Sequence, residues 1–257
     1  MGNKFFGVLP KTHRWNQVVS LLREGVDAGE IAQSSFWAAL TCFQRIPNDS
    51  GFNQVIQTAF EFAEAAREKN FAEALWKRGF EVPPDPTALD MIGALRSRID
   101  WQLSDSRIHS DAAEIAQNAL TKSLTAQTVN QASLFDAGPD HVQKALGRGL
   151  RGEQFSRLMH EFYSSFVHRY LTYYLSRELS NHVGPDRRFT DLAAHQEFSR
   201  ALDLHIRQTV RIADEFTPGW FGKASFEGRL NRGEITRYTH VAFKKIAGEF
   251  KRGGDAQ

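Results

Sequence analysis

The sequence predicts an all-α protein, and three observations lead to this expectation. Apolar residues recur with the 3.6-residue period of an amphipathic helix in nearly every long segment, whereas alternation with period two never persists. No proline or glycine lies between Gly152 and Gly184, so residues 152–184 can form one helix of about eight turns. Segments rich in proline or glycine separate the other periodic stretches. We therefore expect a bundle-like protein of about nine helices around a long central helix near 152–184.

The N-terminal part of the chain is expected to form a layer of four helices. Apolar periodicity places these helices at residues 15–22, 27–46, 52–69 and 71–78. The first is expected to stop near Gly25, and residues 47–51 predict a turn. Three prolines make residues 82–86 the strongest break in the chain. This break predicts an N-terminal layer, residues 1–82, and a C-terminal domain, residues 87–257, with one continuous domain as the alternative.

The C-terminal part predicts further helices on either side of the long one. Their periodic segments cover residues 87–103, 110–129, 142–150, 191–216 and 235–250. Thr87 and Thr190 are expected to cap two of these helices, because a threonine hydroxyl can accept a bond from a free N–H of the first turn. Residues 217–233 contain Pro218 and four glycines, and they predict a loop.

The long helix is apolar on two sides, which predicts that it is buried on both. At 100° per residue, one face carries Phe155, Leu158, Met159, Phe162, Phe166 and Tyr173, and Leu171, Leu175 and Leu179 lie roughly opposite. Arg169 and Arg177 fall at the edges of the first face. Each needs either a carboxylate or carbonyl partner or a path for its charged end to reach water.

Composition narrows the functional classes. An apolar fraction of 41% with 20 phenylalanines predicts a large core rich in aromatic rings. The single cysteine, Cys42, excludes an internal disulfide and suits a reducing, cytoplasmic location. No signal peptide and no apolar run of about 18 residues is visible, so no membrane association is expected. The spacings typical of zinc, di-iron and P-loop sites are missing, so no metal and no cofactor is expected.

Basic residues concentrate in the second half of the chain. Residues 1–138 carry a net charge of −3, and residues 139–257 carry +5. Candidates for contact with phosphate or nucleic acid are Arg148 and Arg151, before the long helix, and Lys244, Lys245, Lys251 and Arg252 in the last one. The alternatives are a hinge loop at 147–152 and a solvated last helix whose basic end complements its dipole.

The first ten residues contain large apolar side chains before any predicted helix. These are Phe5, Phe6, Val8 and Leu9, followed by Pro10. Each would contribute roughly 1.5–3 kcal/mol if it were buried. We therefore expect this arm to dock, either on the core of its own chain or on a partner protein.

The end of the long helix contains the one segment with a catalytic interpretation. Arg177 and His182 are separated by four residues, and this pattern resembles the R-x4-6-H motif of the all-helical HEPN ribonucleases. The resemblance implies metal-independent cleavage of RNA by an arginine and a histidine that meet across a dimer. Glu178 departs from the family, which has a small polar residue there. The alternative is a structural role at a helix end shaped by Asn181 and Gly184.

Residues 169–185, RYLTYYLSRELSNHVGP, are similar to a segment of uncharacterised bacterial proteins from multi-gene loci, including anti-phage defence islands. The resemblance implies a bacterial cytoplasmic protein and no particular chemistry. The leading functional expectation is a non-enzymatic helical subunit that assembles with other protein subunits, and a homo-oligomer is compatible with it. The alternatives are a HEPN-like ribonuclease and a nucleic-acid-binding module.

Overall fold

The computed structural model describes residues 12–65, 68–131, 153–229 and 231–255. In these ranges it contains ten α-helices and no β-strand, which confirms the all-α prediction. The helices are α1 (His13–Glu24), α2 (Ala28–Phe43), α3 (Ser50–Ala65), α4 (Phe71–Lys77), α5 (Ala88–Asp105), α6 (Asp111–Gln131), α7 (Glu153–Leu179), α8 (Leu192–Val210), α9 (Ile212–Phe226) and α10 (Arg232–Asp255). Short 3₁₀ helices follow α2 at Ile46–Asn48 and α7 at Ser180–His182. Within the described ranges, no helix is both long and apolar enough to cross a membrane.

Side-chain caps explain where several helices begin. Asp27 caps α2 by accepting bonds from the backbone N–H groups of Gly29 and Glu30. Thr87 caps α5 as predicted. The carboxylate of Asp90 accepts a hydrogen bond from the backbone N–H of Thr87, which completes a capping box. The predicted cap at Thr190 is wrong by one residue. Asp191 caps α8 because its carboxylate accepts a bond of 2.9 Å from the N–H of Ala194.

Helix α7 is the central helix, as the sequence predicts. It packs against α2, α6, α8 and α9, and its contact with α6 is the most extensive between any two described helices. Both predicted apolar faces are buried, including Phe155, Phe162 and Phe166 on one and Leu171, Leu175 and Leu179 on the other. Tyr173 is half-buried and Arg169 is exposed. The charged end of Arg169 therefore reaches water, which was one of its two predicted outcomes.

The core is built from contacts between aromatic rings of helices distant in sequence. The ring centroid of Phe43 lies 4.5 Å from that of Phe243 and 5.6 Å from that of Tyr170, which joins α2 to α10 and α7. Phe60 likewise lies 5.1 Å from Phe155 and joins α3 to α7. Buried residues of α1–α4 and of α5–α10 belong to one hydrophobic cluster. The division at residues 82–86 into two domains stays a prediction.

The segment 212–226 corrects the prediction of a loop over 217–233. It forms α9, which contains Pro218, and Arg211 separates it from α8, so the predicted single helix over 191–216 is also wrong. Pro218 has no N–H to donate to the carbonyl four residues earlier, that of Asp214. This carbonyl accepts a 3.0 Å bond from Ser156 Oγ of α7 instead. A contact with the central helix thus compensates for the proline.

We predict that Phe43→Ala lowers the free energy of unfolding by about 3–5 kcal/mol, the usual result of emptying a buried phenylalanine site. Phe43 is 1% exposed and touches rings from three helices. Denaturant unfolding followed by circular dichroism measures the change. Leu204→Ala is the control, because Leu204 is 57% exposed and its loss should change stability by less than about 0.5 kcal/mol. Equal effects of the two substitutions would contradict the proposed core.

Candidate functional site

His182 lies in a turn that closes the end of α7. The α-helix stops at Leu179 and tightens into the 3₁₀ turn Ser180–His182. Two backbone bonds then close the loop, from Gly184 N–H to the Phe189 carbonyl at 2.8 Å and from Phe189 N–H to the His182 carbonyl at 3.0 Å. Gly184 has φ of 138°, a conformation that residues with a side chain rarely adopt. The helix therefore ends at Leu179, earlier than the predicted end near Gly184, and Gly184 shapes the turn that follows it.

A surface cavity of about 440 Å³ opens beside His182. Its walls include the guanidinium groups of Arg23 and Arg187 and the carboxylates of Glu178 and Asp186. Burial lowers the pKa of His182, with Glu178 opposing and Arg23 adding to the shift. The imidazole is therefore neutral near pH 7, the form that can act as a general base. An arginine beside it supplies positive charge for an anion.

Arg188 also lines this cavity, and its role is structural. Its guanidinium donates hydrogen bonds to the carbonyls of Leu21, Leu22 and Val26 around the end of α1. It also stacks over the ring of Phe198 at 4.9 Å. Arg188 thus donates to the carbonyls of Leu22 and Val26, adds a bond to the Leu21 carbonyl that already accepts from the N–H of Gly25, and ties α1 to α8.

The structure describes only part of the predicted catalytic pair, Arg177 and His182. The backbone of Arg177 lies in the last turns of α7, whereas its side chain is outside the described part of the structure. In an unbroken α-helix, positions five apart point about 140° away from each other. Because α7 ends at Leu179, Arg177 and His182 do not share an unbroken helix. Arg200 and His205 have the same spacing in the sequence, but they lie within an unbroken helix, α8, so their positions point about 140° apart.

The predicted cations of the last helix lie on one exposed face of α10. Lys244, Lys245, Lys251 and Arg252 are all exposed. Arg252 pairs with Glu249 at 2.7 Å, and the Nζ of Lys245 lies 5.8 Å from the centre of the Phe216 ring. This face is therefore a cationic surface of four side chains, available to a polyanion. The other predicted residues, Arg148, Arg151, Phe5, Phe6, Val8 and Leu9, lie outside the described ranges.

Sequence reasoning missed a cleft on α5, which we call the Trp101 cleft. It has a volume of about 490 Å³ and is lined by Gly79, Glu81, Ala94, Ser97, Arg98 and Trp101. The guanidinium of Arg98 lies 4.8 Å from the centre of the Trp101 ring, and its Nε is buried without a hydrogen-bond partner in the described structure. The spacing of Arg98 and Trp101, three residues apart in a helix, is the signal that could have revealed the pair.

Gly79 completes the Trp101 cleft. Its φ is 78°, and a Cβ atom there would lie 2.9 Å from the guanidinium carbon of Arg98. Glycine therefore suits the backbone conformation here, and any side chain at this position would make the guanidinium of Arg98 move. No pattern in the sequence connects residue 79 to residue 98, so this part of the cleft could not be predicted.

Among the described residues, no group of three or more histidine, cysteine, aspartate or glutamate side chains lies close enough to hold a metal ion. His160 and Glu161 instead contact side chains of neighbouring helices. His160 Nδ1 lies 3.2 Å from the Asp214 carboxylate. The Glu161 carboxylate forms an ion pair with the guanidinium of Arg207 at 2.6 Å. Both contacts join α7 to its neighbours.

Comparison with known proteins provides no relative. The chain matches no family model, no curated protein and no solved structure. The candidate sites are therefore interpreted from their own geometry.

We predict that the protein loses stability as the pH falls from 7.5 to 5.5. Burial lowers the pKa of His168, His182 and His205 in the folded state. The unfolded chain takes up these protons near pH 6.5, whereas the folded protein resists them, so stability decreases as the pH falls through that value. Carboxylates such as Asp90, whose pKa is lowered from 3.8, stay ionised across this window.

Melting temperatures measured at both pH values test this. The triple variant His168→Gln, His182→Gln, His205→Gln should lose less of its stability than the wild-type protein over the same interval. An identical pH dependence in the two proteins would contradict the assignment to these histidines.

Proposed function

We propose that this chain is a non-enzymatic helical subunit that assembles with another protein through the Trp101 cleft. The observation that carries the proposal is the exposure of Trp101, of which 57% is accessible, beside a cavity and in contact with Arg98. Tryptophan and arginine are the residues most enriched among the energetic centres of protein interfaces. A large ring held in place by a cation loses little conformational entropy when a partner covers it.

The chemistry of the cleft defines what the partner must offer. Its Trp101 wall suits an apolar side chain. The buried Arg98 Nε–H has no acceptor in the described structure, so a partner carbonyl or carboxylate would satisfy it. A second tryptophan, Trp76, is 60% exposed and is held rigidly, because its Nε1 donates a 2.8 Å bond to the Val82 carbonyl. We propose that the complex belongs to a bacterial multi-component system, such as phage defence.

The test is co-expression of the tagged chain with the products of its neighbouring genes. The wild-type chain is expected to co-elute with one of them, and Trp101→Ala should weaken that complex at least tenfold in dissociation constant, as for an interface hot spot. Leu204→Ala is the matched control, because Leu204 has the same 57% exposure but lies on α8. Its complex should keep the wild-type affinity.

Circular dichroism of the free Trp101→Ala variant separates loss of binding from loss of folding. An unchanged melting temperature with a lost complex supports the proposal. A chain that elutes alone, or a complex equally affected by both substitutions, would show that the cleft is not the interface.

A second candidate function is a HEPN-like ribonuclease, and the cavity beside His182 favours it. In this candidate, His182 would transfer the proton, and Arg177 would hold the scissile phosphate, in line with the family resemblance. Because α7 ends before His182 and a 3₁₀ turn follows, the relative direction of the two positions differs from that in an unbroken α-helix. The cationic face of α10 provides a surface for the RNA backbone in this candidate and in a simple nucleic-acid-binding module.

One RNA experiment distinguishes these alternatives. A labelled single-stranded RNA is incubated with the protein in EDTA, and both cleavage and salt-dependent binding are measured. A ribonuclease should cleave, and His182→Ala should abolish cleavage, whereas the control His13→Ala, exposed at the start of α1, should not. A binding module should retain RNA without cleaving it, and Lys244→Glu with Lys245→Glu should weaken binding and reduce its salt dependence. RNA that is neither bound nor cleaved excludes both.

A further inference from the structure

A second cationic cavity lies between α6 and α7, away from the Trp101 cleft and from His182. Its volume is about 450 Å³, within the range of small-molecule sites, which is roughly 300–1,000 Å³. Helix α6 contributes Ile115, Asn118 and Lys122, and α7 contributes His168, Arg169, Thr172, Tyr173 and Ser176. These positions recur at three- to four-residue spacing, so one face of each helix forms a wall. Helices packed as closely as α6 and α7 provide a rigid frame for a site.

The charges on these walls have one sign. Lys122 and Arg169 both line the cavity, and no carboxylate does so among the described residues. Neither cation forms a salt bridge within the described ranges, in contrast to Arg207 on α8, which binds both Glu161 and Asp203. Two like charges that face one cavity repel each other, and this repulsion is removed when an anion lies between them.

Thr172 adds a hydrogen-bonding group without a partner. Its Oγ1 is buried and forms no hydrogen bond in the described structure. Other helical threonines here donate to the carbonyl four residues earlier, as Thr121 and Thr125 on the facing helix do at 2.8 Å. The Thr172 hydroxyl is therefore an unused donor that is buried behind the wall of the cavity. Rotation about χ1 exchanges its hydroxyl and methyl groups and would offer the hydroxyl to an occupant.

His168 reports the electrostatic environment of the cavity. Burial lowers the pKa of His168 most, the Asp203 carboxylate opposes this, and Lys122, Arg169 and Arg207 lower it further. The charged groups that face it are therefore three cations and one carboxylate, and Asp203 is already bound to Arg207 at 2.8 Å. An anion placed between Lys122 and Arg169 would raise the pKa of His168, because it favours the protonated imidazole.

From this arrangement we infer that the α6–α7 cavity is a binding site for a phosphorylated small molecule. Lys122 and Arg169 bind its phosphate, and Asn118, Thr172 and Ser176 supply neutral hydrogen-bonding groups. The half-buried ring of Tyr173 forms an aromatic wall suited to a planar group attached to the phosphate, as in a nucleotide. This site is independent of the proposed partner interface, and neither proposal depends on the other.

The test uses the full chain and three probes: inorganic phosphate, adenosine 5′-monophosphate and uncharged adenosine. Isothermal titration calorimetry should show saturable binding of the monophosphate, weaker binding of phosphate alone and none of adenosine. Lys122→Ala and Arg169→Ala should each weaken monophosphate binding about tenfold or more, as expected for loss of a charged hydrogen bond. Lys223→Ala, which removes an exposed lysine of α9, is the matched control and should bind as the wild type does.

A second measurement does not depend on the affinity of any one probe. Titration of His168 by nuclear magnetic resonance should show a higher pKa in saturating phosphate than in chloride of the same ionic strength, and Lys122→Ala should remove the difference. Binding that Lys122→Ala and Lys223→Ala weaken equally would indicate a general charge effect and overturn the proposal. Absence of binding by both phosphate and monophosphate, with an unchanged His168 titration, would also overturn it.

Discussion

Burial of α7 on both sides is the constraint on which the rest of the structure depends. Polar groups on a helix surrounded by other helices are costly to bury without a partner, and several on α7 bond to neighbouring helices. The hydroxyl of the buried Tyr170 donates to the Ala39 carbonyl of α2 at 3.1 Å, and His160 lies 2.9 Å from the Arg207 carbonyl at the end of α8. Ser156 reaches the carbonyl that Pro218 leaves open. The polar side chains of α7 therefore determine how its neighbours are aligned, whereas its aromatic side chains provide the burial.

This dual role explains which parts of the fold the sequence could predict. The central helix, its two apolar faces and the Thr87 cap follow from local spacing, and the structure confirms them. The error at 217–233 has a different origin. Pro218 is a helix breaker by every local criterion, and it is tolerated because Ser156, 62 positions away in the sequence, compensates for it. A tertiary contact of this kind has no signature in the segment that it stabilises.

The candidate sites also divide into features that local sequence spacing predicts and features that depend on tertiary packing. The exposure of Lys244 and Lys251 on one face of α10 follows from helical periodicity, and sequence analysis identified these residues. The Trp101 cleft depends on Gly79 making room for Arg98, and the α6–α7 cavity depends on Lys122 facing Arg169. Each brings together residues from separate elements, whose juxtaposition is a property of packing. Arg169 illustrates the difference. Its position in the sequence predicts that it needs a partner or a route to water, but it does not predict that Lys122 lines the same cavity.

Helix α6, which lines the α6–α7 cavity, packs against α5, which carries most of the Trp101 cleft, and this bears on whether the two surfaces act together. Gln117, adjacent to the cavity residue Asn118, donates a 2.6 Å bond to Asp100, which precedes Trp101 on α5. A contact chain of this kind fixes relative position, but it transmits a change in affinity only if the elements have two alternative arrangements. Gln117 is 6% exposed and also bonds to the Arg96 carbonyl at 3.3 Å, so its amide is held from two sides. A rigid link of this type supports both surfaces without coupling them, and occupancy of the cavity should leave the affinity of the Trp101 cleft unchanged.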